Sequence, residues 1–383
     1  MHPETLMAPP RTWEELRADV QARTDRQVYP MTGMRSEDVR GILSHIGRLD
    51  RDAWGRAWSA MARAWIARGA PLEARDPEGA GEAYRMAWRY ASFGGWPIAI
   101  SPAKKASYQL SLEAFRRFGT LQAQPIETVT LSVPSTGPDA DITVYLQFPA
   151  GRRPVPVLIS IGGLDSYKEY VAERYGPVYL RSGLGYVAAD APHTGEACVD
   201  ADERGERIYT AIIDDLRTRT EVDPARIGVQ GVSLGGYWAT KVAFAEPARL
   251  TLAVNWAGLL DAAWSPDQLR RALGSREYLF DLPQALCTVW GYETPEALVA
   301  GQSRMSIVRQ GLVGRPTPRM LVVNGLHDSL VPAEDSLLLL QSGTPKSAWL
   351  NPGGIHLGRS SEWNDERIMR EVIRPWIVQT MEQ

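Results

Sequence analysis

The sequence predicts an α/β protein in which a mostly parallel β-sheet, covered by helices, follows an all-helical region. Two observations support this fold class. Apolar residues recur with helical spacing up to about residue 122, and beyond residue 125 the pattern changes to short apolar runs separated by helical stretches. Apolar runs that alternate with helices are typical of a parallel sheet that is buried on both faces.

The first predicted domain, residues 1–122, reads as all-helical. Prolines at positions 9, 10 and 30 prevent one long helix at its start. Three amphipathic stretches then predict helices, at residues 50–69, 79–93 and 102–118. Six of the 13 tryptophans lie in this domain. We expect them in the core between packed helices, and the alternative is that some line a pocket for an aromatic or apolar ligand.

The second predicted domain, residues 123–383, carries the sheet. Residues 128–133 and 142–148 alternate in polarity around a turn at 134–138, which predicts an antiparallel hairpin. Six apolar runs predict further strands at residues 155–161, 186–189, 227–229, 252–254, 320–323 and 348–350. An opening hairpin followed by such a sheet is the layout of the α/β-hydrolase fold.

The stretch at about residues 258–318 is longer than a plain crossover between two strands requires. One interpretation is a covering helix with a wandering loop. The alternative is that part of this insertion forms a lid over the functional site.

The bulk properties exclude several classes of function. A net charge of −3 gives no electrostatic basis for binding nucleic acid, and no window approaches the length of a membrane span. The N-terminus lacks a basic start followed by an apolar stretch, so we expect a cytoplasmic protein. Cys198 and Cys287 are predicted to be buried thiols, with no metal or cofactor implied. The expected partner is a small-molecule substrate, with a homodimer left open and no membrane or nucleic-acid partner.

Residues 227–236 read as a strand, a sharp turn and the start of a helix. The turn contains a Gly-x-Ser-x-Gly pentapeptide formed by Gly231, Ser233 and Gly235. In such a turn the serine occupies a strained apex, and the glycines are needed because strand and helix nearly touch. This arrangement predicts that Ser233 is an exposed nucleophile.

A serine nucleophile needs a histidine base and a carboxylate that orients it, and in α/β-hydrolases these follow in the order Ser, acid, His. Only two of the five histidines, His327 and His356, come after Ser233. Asp328 follows a predicted strand at the sheet edge, and with Asp328 as the acid only His356 remains. The alternative acids lie further along, at Glu334 and Asp335.

Two backbone N–H groups are expected to stabilise the oxyanion that forms when the serine attacks a carbonyl. One is that of Leu234, and the other lies in the glycine-containing loop 162–169, at Gly163 or Leu164. The residues predicted to contact substrate are Asp165, Tyr167, Lys168, Trp264 and Asp267. For the charged residues of the loop, the alternative is that they orient the loop or cap its helix.

Three segments, 162–169, 222–228 and 231–237, together with the helical N-terminal region, resemble the FrsA-like α/β-hydrolases. The resemblance spans most of residues 50–360, and residues 162–166 are its most specific part. It implies a helical cap over the sheet edge, with Ser233, Asp328 and His356 at the triad positions. Some members cleave a carbon–carbon bond next to a carbonyl with help from an extra carboxylate, for which Asp261 and Asp267 are both candidates here. Others are esterases.

The sequence therefore predicts a serine hydrolase for a small apolar or aromatic compound. The reaction passes through an acyl-enzyme and cleaves an ester or a carbonyl-adjacent carbon–carbon bond. A second hypothesis is an acyltransferase or thioesterase of a biosynthetic pathway. A third is a non-catalytic, hydrolase-like interaction protein.

Overall fold

The computed structural model describes residues 11–134, 139–151 and 153–382. The turn predicted at 134–138 lies largely outside these residues, as does the start of the N-terminus. The described chain forms two compact units. The helical unit contains the described residues up to Glu127 together with Arg276–Ala285, and the sheet unit contains Thr128–Ser275 and the described residues from Leu286 onward.

Five helices build the helical unit: α1 (Trp13–Asp25), α2 (Ser36–Ser44), α3 (Arg51–Gly69), α4 (Pro77–Gly95) and α5 (Pro102–Thr120). The three longest begin at side-chain caps, because Asp50, Asp76 and Ser101 each accept a hydrogen bond from a backbone N–H in the first turn. The three predicted helices match α3, α4 and α5 to within two residues at each end.

The core of the helical unit is rich in aromatic side chains, among them Trp54, Trp58 and Phe93. The segment 276–285 completes it, since Phe280 lies 5.0 Å from Trp54 between ring centroids and Leu279 is buried in the same cluster. This contribution comes from the stretch that the sequence assigned to a loop or lid of the other domain. The apolar residues of that stretch did not indicate which core they would join.

The sheet unit contains eight strands: β1 (Glu127–Val133), β2 (Ala140–Gln147), β3 (Val155–Ile161), β4 (Gly185–Ala189), β5 (Val222–Val232), β6 (Leu252–Trp256), β7 (Arg319–Gly325) and β8 (Ser347–Asn351). Their order in the sheet is β1-β2-β4-β3-β5-β6-β7-β8. Strand β2 is antiparallel to β4, and the six strands in the order β4-β3-β5-β6-β7-β8 are parallel to one another. All eight predicted strands are present, and the predicted α/β fold is confirmed.

Ten further helices follow along the described chain: α6 (Lys168–Arg174), α7 (Gly176–Arg181), α8 (Arg207–Thr218), α9 (Leu234–Ala245), α10 (Pro266–Leu273), α11 (Leu282–Trp290), α12 (Pro295–Gly301), α13 (Ala333–Leu340), α14 (Asp365–Ile368) and α15 (Arg374–Met381). All belong to the sheet unit except the first four residues of α11, which belong to the helical unit. A π-helical turn, Met369–Ile373, joins the last two. No helix among the described residues is both long and apolar enough to cross a membrane. Cys287 is buried as predicted, but Cys198 is exposed, because its segment lies in a loop rather than in the core.

Parallel strands place their carboxyl ends at one edge of the sheet. The loops that follow β3, β5, β7 and β8 therefore meet there. These are the loops that carry the candidate oxyanion donors, the serine, the aspartate and the histidine.

Candidate active site

Ser233 occupies a sharp turn between β5 and α9. Its backbone dihedrals are φ 55° and ψ −119°, in a region that costs an L-residue about 1–3 kcal/mol. Its N–H donates to the carbonyl oxygen of Trp256 at the end of β6, at 2.8 Å, which ties the turn to the neighbouring strand. The residue is half-buried rather than fully enclosed.

The imidazole of His356 lies between Ser233 and Asp328. Its Nε2 is 3.0 Å from the Oγ of Ser233, and its Nδ1 is 2.7 Å from the Oδ2 of Asp328. Because an ionised carboxylate only accepts hydrogen bonds, we assign the proton to Nδ1, which leaves Nε2 to accept from the serine hydroxyl. The three residues thus form one continuous chain of hydrogen bonds.

Asp328 is held rigidly as an anion. Its side chain is 0% exposed, and its Oδ1 accepts the N–H groups of Leu330 and Val331 at 2.8 and 2.9 Å. Burial acts to raise the pKa of this carboxyl, but the charge of His356 and the hydrogen bonds from these three residues outweigh it, so the pKa lies below 3.8. The carboxylate is therefore ionised at neutral pH.

The loops that carry the aspartate and the histidine are joined through their backbones. Leu326 donates to the carbonyl oxygen of Asn351 at 3.0 Å, and His327 donates to that of Gly354 at 2.9 Å. The side chain of His327 is exposed, and His356 is the histidine that reaches the serine. These bonds set the relative position of the two loops independently of any substrate.

The loop after β3 lies directly beside the serine. A Cβ atom placed on Gly163 would be 3.6 Å from the Cβ of Ser233. The N–H of Gly163 is already used, because it donates to the Oγ of Ser166 at 2.9 Å. The N–H groups of Leu164 and Leu234 make no hydrogen bond within the described chain. Of the two alternatives within the loop, Leu164 is therefore the one with a free donor.

Lys168 is not available to a substrate, contrary to the prediction. Its side chain is 0% exposed, and its ammonium pairs with Glu169, Asp190 and Glu196 at 2.8, 3.1 and 2.9 Å. Burial, with the charge of Asp190, raises the pKa of Glu169 to about 7 even though Lys168 opposes the shift. This buried ionic cluster anchors the start of α6 to the loop after β4, which agrees with the alternative that the charge orients the loop.

The other predicted contact residues divide into two groups. Asp165 and Tyr167 are half-buried in the loop beside the serine and stay predicted substrate contacts. Trp264 is 1% exposed and packs against Tyr237 and Trp290, each with ring centroids 5.4 Å away, so it is a core residue. For this residue the prediction is wrong. The sequence pattern of a large apolar side chain after a strand is the same for a core residue and for a pocket residue.

Asp267 is also misassigned. Its side chain is 83% exposed in the first turn of α10 and pairs with Arg270 at 2.9 Å, a surface arrangement. The other candidate for an extra carboxylate, Asp261, is half-buried and accepts a hydrogen bond from the hydroxyl of Ser306.

Asp335, which the sequence offered as an alternative acid, holds the loop after β6 instead. Its two oxygens accept the backbone N–H groups of four consecutive residues, Leu260 to Ala263, at 2.7 to 3.3 Å. Burial raises its pKa to about 6, although these hydrogen bonds act in the opposite direction. Its acceptor positions are filled by the backbone, which leaves Asp328 as the partner of the histidine. The sequence around Asp335, in the first turn of α13, did not indicate that its carboxylate binds the backbone of another loop.

Within the described residues, no group of three or more His, Cys, Asp or Glu side chains is placed to hold a metal ion.

Comparison with known proteins adds relatives of similar sequence. A family model described as "Esterase FrsA-like" matches residues 44–349. The 2,6-dihydropseudooxynicotine hydrolase of Paenarthrobacter nicotinovorans is 32% identical over 176 residues, which cover 43% of this chain and 47% of that protein. Hydrolase ORFZ of Pyricularia oryzae is 29% identical over 238 residues, or 55% and 54% of the two chains. Matches to these two relatives therefore span about half of their length.

Esterase FrsA of Citrobacter koseri is 25% identical over 323 residues, which cover 80% of this chain and 75% of that protein. Among solved structures, 2,6-dihydroxy-pseudo-oxynicotine hydrolase matches with a TM-score of 0.76 at 20% identity, over 96% of this chain and 95% of its own. Wild-type AbyA5 matches with a TM-score of 0.69 at 20% identity, over 96% and 93%. At such identities the structural likeness establishes the fold alone.

Proposed function

Because the chain belongs to the FrsA-like esterase family, we propose that it is a serine hydrolase of small apolar or aromatic acyl compounds. The observation that carries this proposal is the hydrogen-bonded chain from Ser233 through His356 to Asp328, with the serine on a strained turn. In this proposal the three residues are the catalytic triad. The bond cleaved is an ester or a carbon–carbon bond next to a carbonyl.

The first half of the proposed reaction forms an acyl-enzyme. The Oγ of Ser233 attacks the substrate carbonyl while its proton passes to the Nε2 of His356, and Asp328 stabilises the imidazolium. The free N–H groups of Leu164 and Leu234 hold the resulting oxyanion. When the tetrahedral intermediate collapses, the bond to the leaving group breaks, and the leaving group takes the proton from His356.

In the second half, water replaces the leaving group. His356 removes a proton from the water as it attacks the acyl carbon, and the proton then returns to the Oγ of Ser233 as the acid is released. For an ester the leaving group is an alkoxide. For a carbon–carbon bond it is a carbanion, which needs a substrate that delocalises its charge and a proton at carbon.

The structure favours esters as the first class to test. Of the two carboxylates considered for carbanion protonation, Asp267 is a surface residue and Asp261 is engaged with Ser306. One relative is named for 2,6-dihydropseudooxynicotine, so aromatic carbonyl compounds form the second class.

A fluorophosphonate probe tests the nucleophile. We expect mass spectrometry to locate one adduct on Ser233, and p-nitrophenyl esters to be hydrolysed by the unlabelled protein only. Absence of the adduct from folded protein would support the non-catalytic hypothesis. Hydrolysis of esters but not of β-diketones or aryl ketones would remove the carbon–carbon reaction, and an alcohol that intercepts the acyl group faster than water would identify a transferase.

A further inference from the structure

A cavity of about 330 Å³ in the sheet unit lies apart from the serine, among α6, α7 and the C-terminal helices. Its charged lining residues are Arg174, Arg181, Arg370, Arg374 and Glu366. A guanidinium stays protonated throughout the physiological pH range, so four positive charges face a single carboxylate. We call this site the arginine cavity.

Two of these arginines have no counter-charge among the residues that the structure describes. Arg174 is 3.6 Å from a carboxylate oxygen of Glu366, and Arg370 bonds to Glu371 at 2.9 Å. The guanidinium groups of Arg181 and Arg374 make no hydrogen bond or ion pair with any residue in the described ranges. An anion bound beside them would supply the counter-charge that they lack within the described residues.

Part of the cavity wall is apolar. Tyr175 and Met369 are buried and form part of its wall, with Val178 beside them. Its volume falls at the lower end of the range for small-molecule sites, about 300–1,000 Å³. The lining residues Met369 and Arg370 belong to the π-helical turn, a rare element that is frequent at functional sites. Space and surface thus suit a ligand with an organic body and an anionic group.

We propose that the arginine cavity binds a small organic anion. Its phosphate or carboxylate group is held by Arg181 and Arg374, whose planar guanidinium groups match the paired oxygens of either anion. Its apolar part lies against Tyr175 and Met369. This site is separate from the proposed acyl-enzyme chemistry and does not depend on it.

Isothermal titration calorimetry on the full chain at low ionic strength tests the proposal. The probes are phenyl phosphate, benzoate, inorganic phosphate and the neutral benzyl alcohol. We expect saturable binding of one organic anion per chain, weaker binding of inorganic phosphate because it lacks an apolar part, and no binding of benzyl alcohol. Affinity should fall when salt is raised from about 20 to about 200 mM, since salt screens exposed charges. Whether phenyl phosphate or benzoate binds more tightly distinguishes the phosphate ester from the carboxylate.

Substitutions locate the site. Arg181→Gln and Arg374→Gln should each weaken binding about tenfold or more, as expected for loss of a charge-assisted hydrogen bond. The matched control is Arg309→Gln, an exposed arginine of the same unit that lies outside the cavity, and it should stay within about twofold. Since all three side chains are exposed, the variants should fold, which circular dichroism verifies.

Two results would overturn the proposal. One is the absence of saturable binding of both organic anions at low salt. The other is binding that is equally strong in the Arg181→Gln, Arg374→Gln and Arg309→Gln variants, which would place the anion elsewhere. Repeating the titration with Ser233→Ala keeps the two proposals distinct, because binding in the arginine cavity should be unchanged in that variant.

Discussion

Gly231 and Gly235 lie so close together that a Cβ atom on Gly231 would overlap the carbonyl oxygen of Gly235. A Cβ atom on Gly235 would in turn overlap the carbonyl oxygens of Gly162 and Ile161 at the end of β3. The two glycines thus allow three backbone segments to converge around Ser233. No other residue type leaves the required space.

This contact predicts a stability cost. Gly231→Ala and Gly235→Ala should each lower the free energy of unfolding by about 3 kcal/mol, because the overlapping atoms belong to backbone that cannot move aside. The control is Gly353→Ala, whose added Cβ atom would have no neighbour within 4 Å and should change stability by less than about 0.5 kcal/mol. Urea denaturation followed by circular dichroism measures all three. Equal effects would contradict the role assigned to the two glycines.

Asp328→Asn tests the orientation of the histidine. An asparagine can present an N–H to Nδ1, which favours the tautomer that cannot accept the serine proton, so we expect kcat to fall by about 10⁴-fold with little change in KM. Asp267→Asn, at an exposed surface carboxylate, should leave kcat within about twofold. Steady-state kinetics with an ester found active in the first screen provide the measurement. A loss of less than tenfold in Asp328→Asn would argue against the triad.

Lys168→Met should destabilise the sheet unit by about 3–5 kcal/mol, because it leaves three carboxylates without the cation that they surround. The loss should be larger at pH 8 than at pH 6, since burial raises the pKa of Glu169 to about 7 and this carboxyl takes up a proton at the lower pH. Adding Glu196→Gln to this variant should restore part of the stability by removing one of the unpaired charges. Denaturation of the single and double variants at both pH values checks this, and a pH-independent loss would speak against an electrostatic cause.

A pH dependence is expected from Lys104 in the helical unit. Burial lowers its pKa to about 8 from 10.5, although Asp281, 3.4 Å away, opposes the shift. Between these values the unfolded chain binds more protons at this lysine than the folded chain, so its contribution to the free energy of unfolding rises with pH. From pH 8 to pH 10 the rise is about 2 kcal/mol.

The measurement is urea denaturation of the unmodified protein and of Lys104→Met at pH 7, 8, 9 and 10. The variant should lose this pH-dependent contribution, so its stability relative to the unmodified protein should decline across the alkaline range. Lys105→Met replaces the exposed neighbour and should follow the unmodified protein. Parallel curves for Lys104→Met and Lys105→Met would exclude the proposed cause.

The sheet and the serine turn could be predicted from the sequence because their signals are local. An uninterrupted apolar strand such as β3 has few alternative interpretations, and the pentapeptide around Ser233 requires its glycines at fixed positions. His356 could be identified by elimination. Only His327 and His356 come after the serine, and His327 precedes Asp328. The fold and the three residues of the hydrogen-bonded chain could therefore be predicted from the sequence.

The remaining features depend on contacts between residues distant in sequence. The carboxylates Asp190 and Glu196 that enclose Lys168 lie in another loop, so nothing around the lysine indicates that it is buried. A tryptophan such as Trp264 is a residue type expected in a pocket wall, yet its neighbours here are the buried aromatic rings of the core. The free N–H of Leu164 was distinguishable from that of Gly163 only once Ser166 was found to occupy the latter.

Because the segment 276–285 belongs to the helical unit, the core of that unit cannot be completed until most of the sheet has been synthesised. A ribosome releases the five helices of the helical unit first, but Leu279 and Phe280 of its core emerge only after strands β1 to β6. Until then Trp54 lacks its aromatic neighbour Phe280. A fragment that ends at residue 127 would lack these contacts, so we expect it to be less stable than the helical unit that includes residues 276–285.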